Sequence, residues 1–147
     1  MAKFRMNGLD ELSISLDEIA NMPEETKFAM LEAGAKALTE KWRDKLQSMK
    51  RSGQLIGSIK TKRRQGDTPI VAVTPEGARA SEYRGIRKTK RSGGYKKTNA
   101  EVAYVLEYGT PRMPATHWME TANENAADAV TDAEAAVWDE FLKSKNL

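Results

Sequence analysis

The 147-residue chain predicts an α+β domain: a small, mainly antiparallel sheet packed by two long helices. Three observations carry this. Residues 24–49 and 117–143 repeat apolar side chains at helical spacing, short β-branched or alternating runs lie between them, and a basic Gly/Ser-rich stretch interrupts those runs. A chain of this size buries roughly 70% of its unfolded surface, enough for one core, so residues 1–147 are expected to form a single domain.

The elements follow in chain order. Lys3-Phe4-Arg5-Met6 alternates in polarity as a short strand does, and Leu9, Leu12, Leu16 and Ile19 mark a short amphipathic helix. Pro23 is tolerated at a first helical position, and Glu24 and Glu25 suit the positive end of a helix dipole. The long helix that starts there presents Phe28, Leu31, Ala35, Leu38, Trp42, Leu46 and Met49, and Ser52-Gly53 should stop it. Leu55–Lys62 then reads as a strand, and Ile70–Val73 as a second, bracketed by Pro69 and Pro75. From Gly77 to Asn99 the composition turns to Arg, Lys, Gly and Ser, which predicts a long basic loop or β-arm that orders in an assembly.

Alternation from Val102 to Tyr108 predicts a third strand, with Val102, Tyr104, Leu106 and Tyr108 on one face and Ala103, Val105 and Glu107 on the other. Gly109 ends it. Thr110, Pro111 and Pro114 then form a rigid elbow, because proline fixes its own φ and pushes the preceding residue toward extended geometry. The last helix spans about residues 117–143, with Thr116 as its expected N-cap. Its apolar side is Trp118, Ala122, Ala126, Val130, Ala133, Val137 and Phe141 or Leu142. Eight alanines between Ala115 and Ala136 allow another element to approach closely.

Charge is segregated. The net charge of +3 divides into −2 over residues 1–49, +11 over 50–97 and −6 over 98–147. Such a division suits a surface facing a polyanion, or opposite faces that attract each other between copies. The basic residues at issue are Lys62, Arg63, Arg64, Arg84, Arg87, Lys88, Lys90, Arg91, Lys96 and Lys97, placed to contact DNA or a neighbouring subunit.

The residue inventory points away from catalysis. The chain has no cysteine and one histidine, His117, so it offers neither thiol chemistry nor a histidine-built metal cluster. Glycine-rich phosphate loops, G-x-S-x-G and H-E-x-x-H patterns are missing from the sequence. No enzymatic activity, cofactor or metal is expected. Glu107, among apolar neighbours, must be paired or hydrogen-bonded. Its expected partners are backbone N–H groups of the Gly109–Met113 elbow, or Arg112. No apolar run approaches the roughly 18–20 residues that span a bilayer. The start MAKFRMNGLDEL lacks the apolar core of a signal peptide, so no membrane partner is expected and synthesis leaves the chain in the cytoplasm.

The phrase Gly8–Leu12 and the run Ala103–Met119 resemble the neck and tail-completion (head–tail joining) proteins of long-tailed bacteriophages. The second likeness is carried by a small residue, an aromatic, an aliphatic, Glu107, an aromatic and Gly109-Thr110, followed by Pro114-Ala115 and the Trp118-Met119 pair that opens a helix. Those proteins often carry Pro before the aromatic, where this chain has His117. The resemblance implies a virion structural protein at the head–tail junction that completes or caps the tail. Its copies would form a ring, six in number, against other neck and tail proteins, with non-specific contact to genomic DNA in the channel. On the residues alone the alternative is a sequence-independent nucleic-acid-binding module, in which the basic third grips the phosphate backbone.

Overall fold

A computed structural model of the chain describes residues 21–49, 53–64, 66, 68–77 and 98–145. Among these residues the architecture is α+β, with four helices and one two-stranded antiparallel sheet. The expected N-terminal strand and helix, and nearly all of the basic insertion, lie outside the described residues.

The first helix, α1 (Glu24–Ser48), follows Pro23, whose carbonyl accepts from the N–H groups of Thr26 and Lys27. Phe28, Ala35, Trp42 and Leu46 of the expected stripe are buried, with Leu31, Leu38 and Met49 half-buried beside them. Leu55–Lys62 is not a continuous strand: α2 (Gly53–Ser58) is a short helix, and β1 (Ile59–Arg64) begins only at Ile59. The helical turn sends Leu55 and Ser58 to the same buried side, and the Ser58 hydroxyl donates to the Leu55 carbonyl at 2.7 Å. A strand would have put these residues, three apart, on opposite faces.

β1 pairs antiparallel with β2 (Ile70–Pro75), from Ile59 opposite Pro75 to Arg64 opposite Ile70. The period of two divides the hairpin. Ile59, Thr61 and Arg63 point toward α1 with Val71, Val73 and Pro75, whereas Lys60, Lys62 and Arg64 share the outer face with Ile70, Ala72 and Thr74. Arg63 fastens the inner face. Its guanidinium lies 4.5 Å above the Phe28 ring, its Nε donates to Glu32 at 2.9 Å, and its Nη1 donates to Glu25 at 3.2 Å.

A larger correction concerns Val102–Tyr108, which is helical. The element α3 (Asn99–Tyr108) starts with a capping box: Glu101 N–H donates to the Thr98 hydroxyl at 3.2 Å, and Thr98 N–H donates to the Glu101 carboxylate at 2.9 Å. Its buried residues are Asn99, Ala103, Leu106 and Glu107, spaced by four, three and one, a helical period. The supposed strand face is split accordingly. Tyr104 and Tyr108 are each 62% exposed, while Leu106 is buried.

The last helix, α4 (Trp118–Ser144), packs along α1. Trp118, Ala122, Ala126 and Phe141 are buried, and the expected apolar side is the one that faces the core. At mid-length the Glu134 side chain covers Gly34, where an added Cβ would meet a carboxylate oxygen at 2.5 Å. Gly34 and Glu32 are two residues apart on α1, hence on nearly opposite sides of it. Since Glu32 meets the hairpin and Gly34 meets α4, the helix α1 separates the two. One core joins all layers through Trp42, Leu46, Leu55, Ile59, Ala103, Leu106, Trp118 and Ala122. No helix among the described residues is long and apolar enough to cross a membrane.

The hydrogen bond from Arg63 holds the Glu32 carboxyl below its ordinary range, and Glu32 in turn raises the Arg63 guanidinium. A depressed carboxyl stabilises the fold above its unfolded pKa and loses that contribution as pH falls through the folded value. Glu32→Gln is therefore expected to melt below the wild type at pH 7, with the difference closing as pH is lowered past about 4.5, the ordinary value. Thermal melts of both proteins across that range check it.

Candidate functional site

The connection between α3 and α4 brings together every residue of the expected elbow. α3 ends at Gly109, which adopts φ 75° and ψ −171° and donates its N–H to the Val105 carbonyl at 2.9 Å. A Cβ here would lie 2.6 Å from both the Ala115 nitrogen and the Met113 oxygen, both backbone atoms, so glycine is required for space as well as for its positive φ. Thr110 and Met113 then exchange backbone hydrogen bonds at 2.8 and 3.0 Å across Pro111-Arg112, closing a tight turn. After Pro114 the chain doubles back on α3.

That return satisfies the end of α3. Thr116 donates its N–H at 2.9 Å and its hydroxyl at 2.6 Å to the Leu106 carbonyl, and His117 N–H donates to the Glu107 carbonyl at 3.2 Å. These carbonyls belong to the last turn of the helix and lack partners within it. Thr116 is thus occupied with α3 and does not cap α4. The N-cap position is His117, in the left-handed region at φ 46° and ψ 40°, and its side chain makes no capping hydrogen bond.

The cap comes instead from Glu107. Its buried carboxylate accepts from Met119 N–H at 2.6 Å and from Glu120 N–H at 3.3 Å, one oxygen for each. The expectation that Glu107 binds backbone N–H groups holds in kind, with different partners: the donors belong to the first turn of α4, not to Gly109–Met113, and neither bond involves Arg112. The bonds match charge to the positive end of the helix dipole and fill two of its orphan donors. Trp118 completes the joint. Its indole N–H donates to the Ala103 carbonyl at 3.1 Å, and its ring meets Trp42 edge-on at 5.3 Å between centroids. Trp42 in turn donates to Asn123 at 2.7 Å. Thus α1, α3 and α4 meet at one point.

Glu107, His117 and Glu120 each offer a ligand atom within 4.8 Å of the others, and His117 Nδ1 lies 3.4 Å from a Glu120 oxygen. A cation there would compete with two N–H donors already on Glu107 and would face the positive end of α4. The cluster is better suited to holding a helix than a metal.

Of the expected basic residues, Lys62, Arg63 and Arg64 are among those described. Arg63 is committed to α1, Lys62 pairs with Glu76, and Arg64 is exposed on the outer face of the hairpin. Arg84, Arg87, Lys88, Lys90, Arg91, Lys96 and Lys97 lie outside the described residues. Two features of the site went unread in the sequence and had a signal there. Thr98-Asn-Ala-Glu101 is a capping-box pattern that announces a helix, and a helix opening after His117, a poor N-cap, needs an acceptor from elsewhere.

In comparisons with known proteins, no family model, curated protein or solved structure matches the chain.

Glu107→Ala leaves two helix-end donors unpaired next to buried surface and is expected to destabilise the protein by about 2–3 kcal/mol. Glu107→Gln keeps one neutral acceptor and should lose roughly half as much. Gly109→Ala should cost more than about 2 kcal/mol, from the positive φ together with the backbone clash. Urea unfolding at pH 7 measures all three, and wild-type midpoints would contradict the role given to the joint.

Proposed function

We propose that the protein is a structural component of the head–tail junction of a long-tailed bacteriophage, completing or capping the tail as one subunit of an oligomeric ring. The reading rests on the resemblance carried by Gly8–Leu12 and by Ala103–Met119, and its main support is the joint at Glu107. A ring repeats one contact around an axis, so an error in the angle between two elements is multiplied at every step and prevents closure. A subunit for that task needs a fixed angle between the elements that meet its neighbours. Here the fixing agents are Gly109, the Thr110–Met113 turn, the Glu107 cap and the Trp118–Trp42 contact. The resemblance lies in residue types, and the segment before Gly109 that carries part of it is helical and not extended. No bond-making chemistry is assigned to the chain.

A second reading, a sequence-independent nucleic-acid-binding module, is favoured by one observation: Lys60, Lys62 and Arg64 line the outer face of the hairpin. The two readings differ in solution. A ring subunit should form concentration-dependent oligomers, with six copies of 16.4 kDa weighing about 98 kDa, and have negligible affinity for duplex DNA. Mass photometry and negative-stain micrographs of the purified chain, with and without isolated tails, give the first quantity, and a DNA titration at several salt concentrations gives the second. A lone monomer that ignores tails and binds duplex DNA with affinity falling steeply in salt would replace the ring reading with the nucleic-acid one.

A further inference from the structure

The outward face of α4 carries an acidic row. Glu120, Glu124, Asp128 and Asp132 follow one another at four-residue steps, all exposed, on the side away from Ala122 and Ala126. Glu120 has His117 beside it. Among the described residues, Glu124, Asp128 and Asp132 make no ion pair, and Lys143 is the one basic residue of the helix. Like charges at this spacing repel, and no ion pair among the described residues offsets that repulsion along Glu124, Asp128 and Asp132.

The outer face of the hairpin carries the complementary row. Lys60, Lys62 and Arg64 stand at alternate positions of β1, all exposed. Lys62 leans to Glu76, whereas Lys60 and Arg64 have no ion-pair partner among the described residues. Alternate residues of a strand are about 6.6 Å apart. Residues four apart on a helix are separated by about 6 Å along the axis. Two rows with nearly the same step can therefore register over two or three charges. They cannot meet within one chain, because α1 lies between the hairpin and α4, as the contacts of Glu32 with Arg63 and of Gly34 with Glu134 require.

From this we infer that a second copy of the chain docks here: the Lys60–Lys62–Arg64 face of one subunit lies along the Glu124–Asp128–Asp132 row of the next. The occupant is a second copy because both halves of the complementary pair are on this chain and face opposite directions. That is the arrangement a head-to-tail contact needs, since each subunit then offers one face and receives the other. Ile70, 49% exposed on the hairpin's outer face, and Ala127 and Ala135 beside the acidic row supply apolar surface at the same contact. The inference rests on the ring reading above and names the surfaces that such a ring would join.

Two reversed proteins test it, each in the full chain: Lys60→Glu with Arg64→Glu, and Glu124→Lys with Asp128→Lys. Circular dichroism melts establish that both fold, and the neutral versions, with Gln or Asn at the same positions, stand in for any that does not. At low salt each reversed protein should self-associate at least about tenfold more weakly than the wild type. An equimolar mixture should recover association to within about threefold, because the acidic hairpin of the first then meets the basic helix of the second. Folded reversed proteins that associate like the wild type would overturn this contact while leaving the ring reading intact. So would weakened proteins that mixing does not rescue. A wild-type chain that stays monomeric at every concentration would overturn the contact as well, and the ring reading would then be decided by its binding to isolated tails.

Discussion

The hydrogen bonds from Met119 and Glu120 to the Glu107 carboxylate are the constraint on which the rest of the fold depends. They solve two problems at once. A carboxylate buried between helices needs donors, and the first turn of α4 needs acceptors that His117 cannot provide. Because the acceptor sits near the end of α3 and the donors at the start of α4, satisfying both sets the angle between the helices. Gly109 and the Thr110–Met113 turn make that geometry reachable, and Trp118 transmits it to α1 through Trp42.

From that joint the remaining architecture follows in layers. α4 runs back along α1, where Gly34 leaves room for the Glu134 side chain, and the hairpin is held to another side of α1 by Arg63. Among the described residues, separation by a helix keeps the basic outer face of the hairpin and the acidic row of α4 from pairing with each other. The segregation visible as +11 and −6 along the chain thus becomes, in part, a segregation in space. A subunit with two unlike faces and a stiff connection between its helices suits assembly, which is the sense of the proposed role at a head–tail junction.

Much of the fold was legible. The stripes of α1 and α4 depend on many residues at one period, and a signal summed over seven turns survives local noise. Residues 102–108 misled because six of the seven are apolar or aromatic, so both periods fit them; the capping pair Thr98 and Glu101, four residues earlier, would have decided for a helix. In α2 only six residues form the turn, too few for a period to emerge, and the burial of Leu55 decides its conformation. The elbow was readable from Gly109, Pro111 and Pro114 as a break between two elements, and the structure makes it a tight turn closed by Thr110 and Met113. The partners of Glu107 were not readable, since they depend on how far the chain doubles back, which no local pattern records. Thr116 shows the same limit: a good capping residue in sequence is drawn to the Leu106 carbonyl because the return of the chain places it there.

The most direct measurement of the central constraint is native-state hydrogen exchange at two amides. First-turn amides of a helix ordinarily have no intrahelical acceptor and exchange quickly. If Glu107 locks the start of α4, the amides of Met119 and Glu120 exchange only as slowly as the buried centre of that helix, near Ala122 and Ala126. Exchange of both at the rate of a fraying helix end, with the centre still protected, would contradict the account.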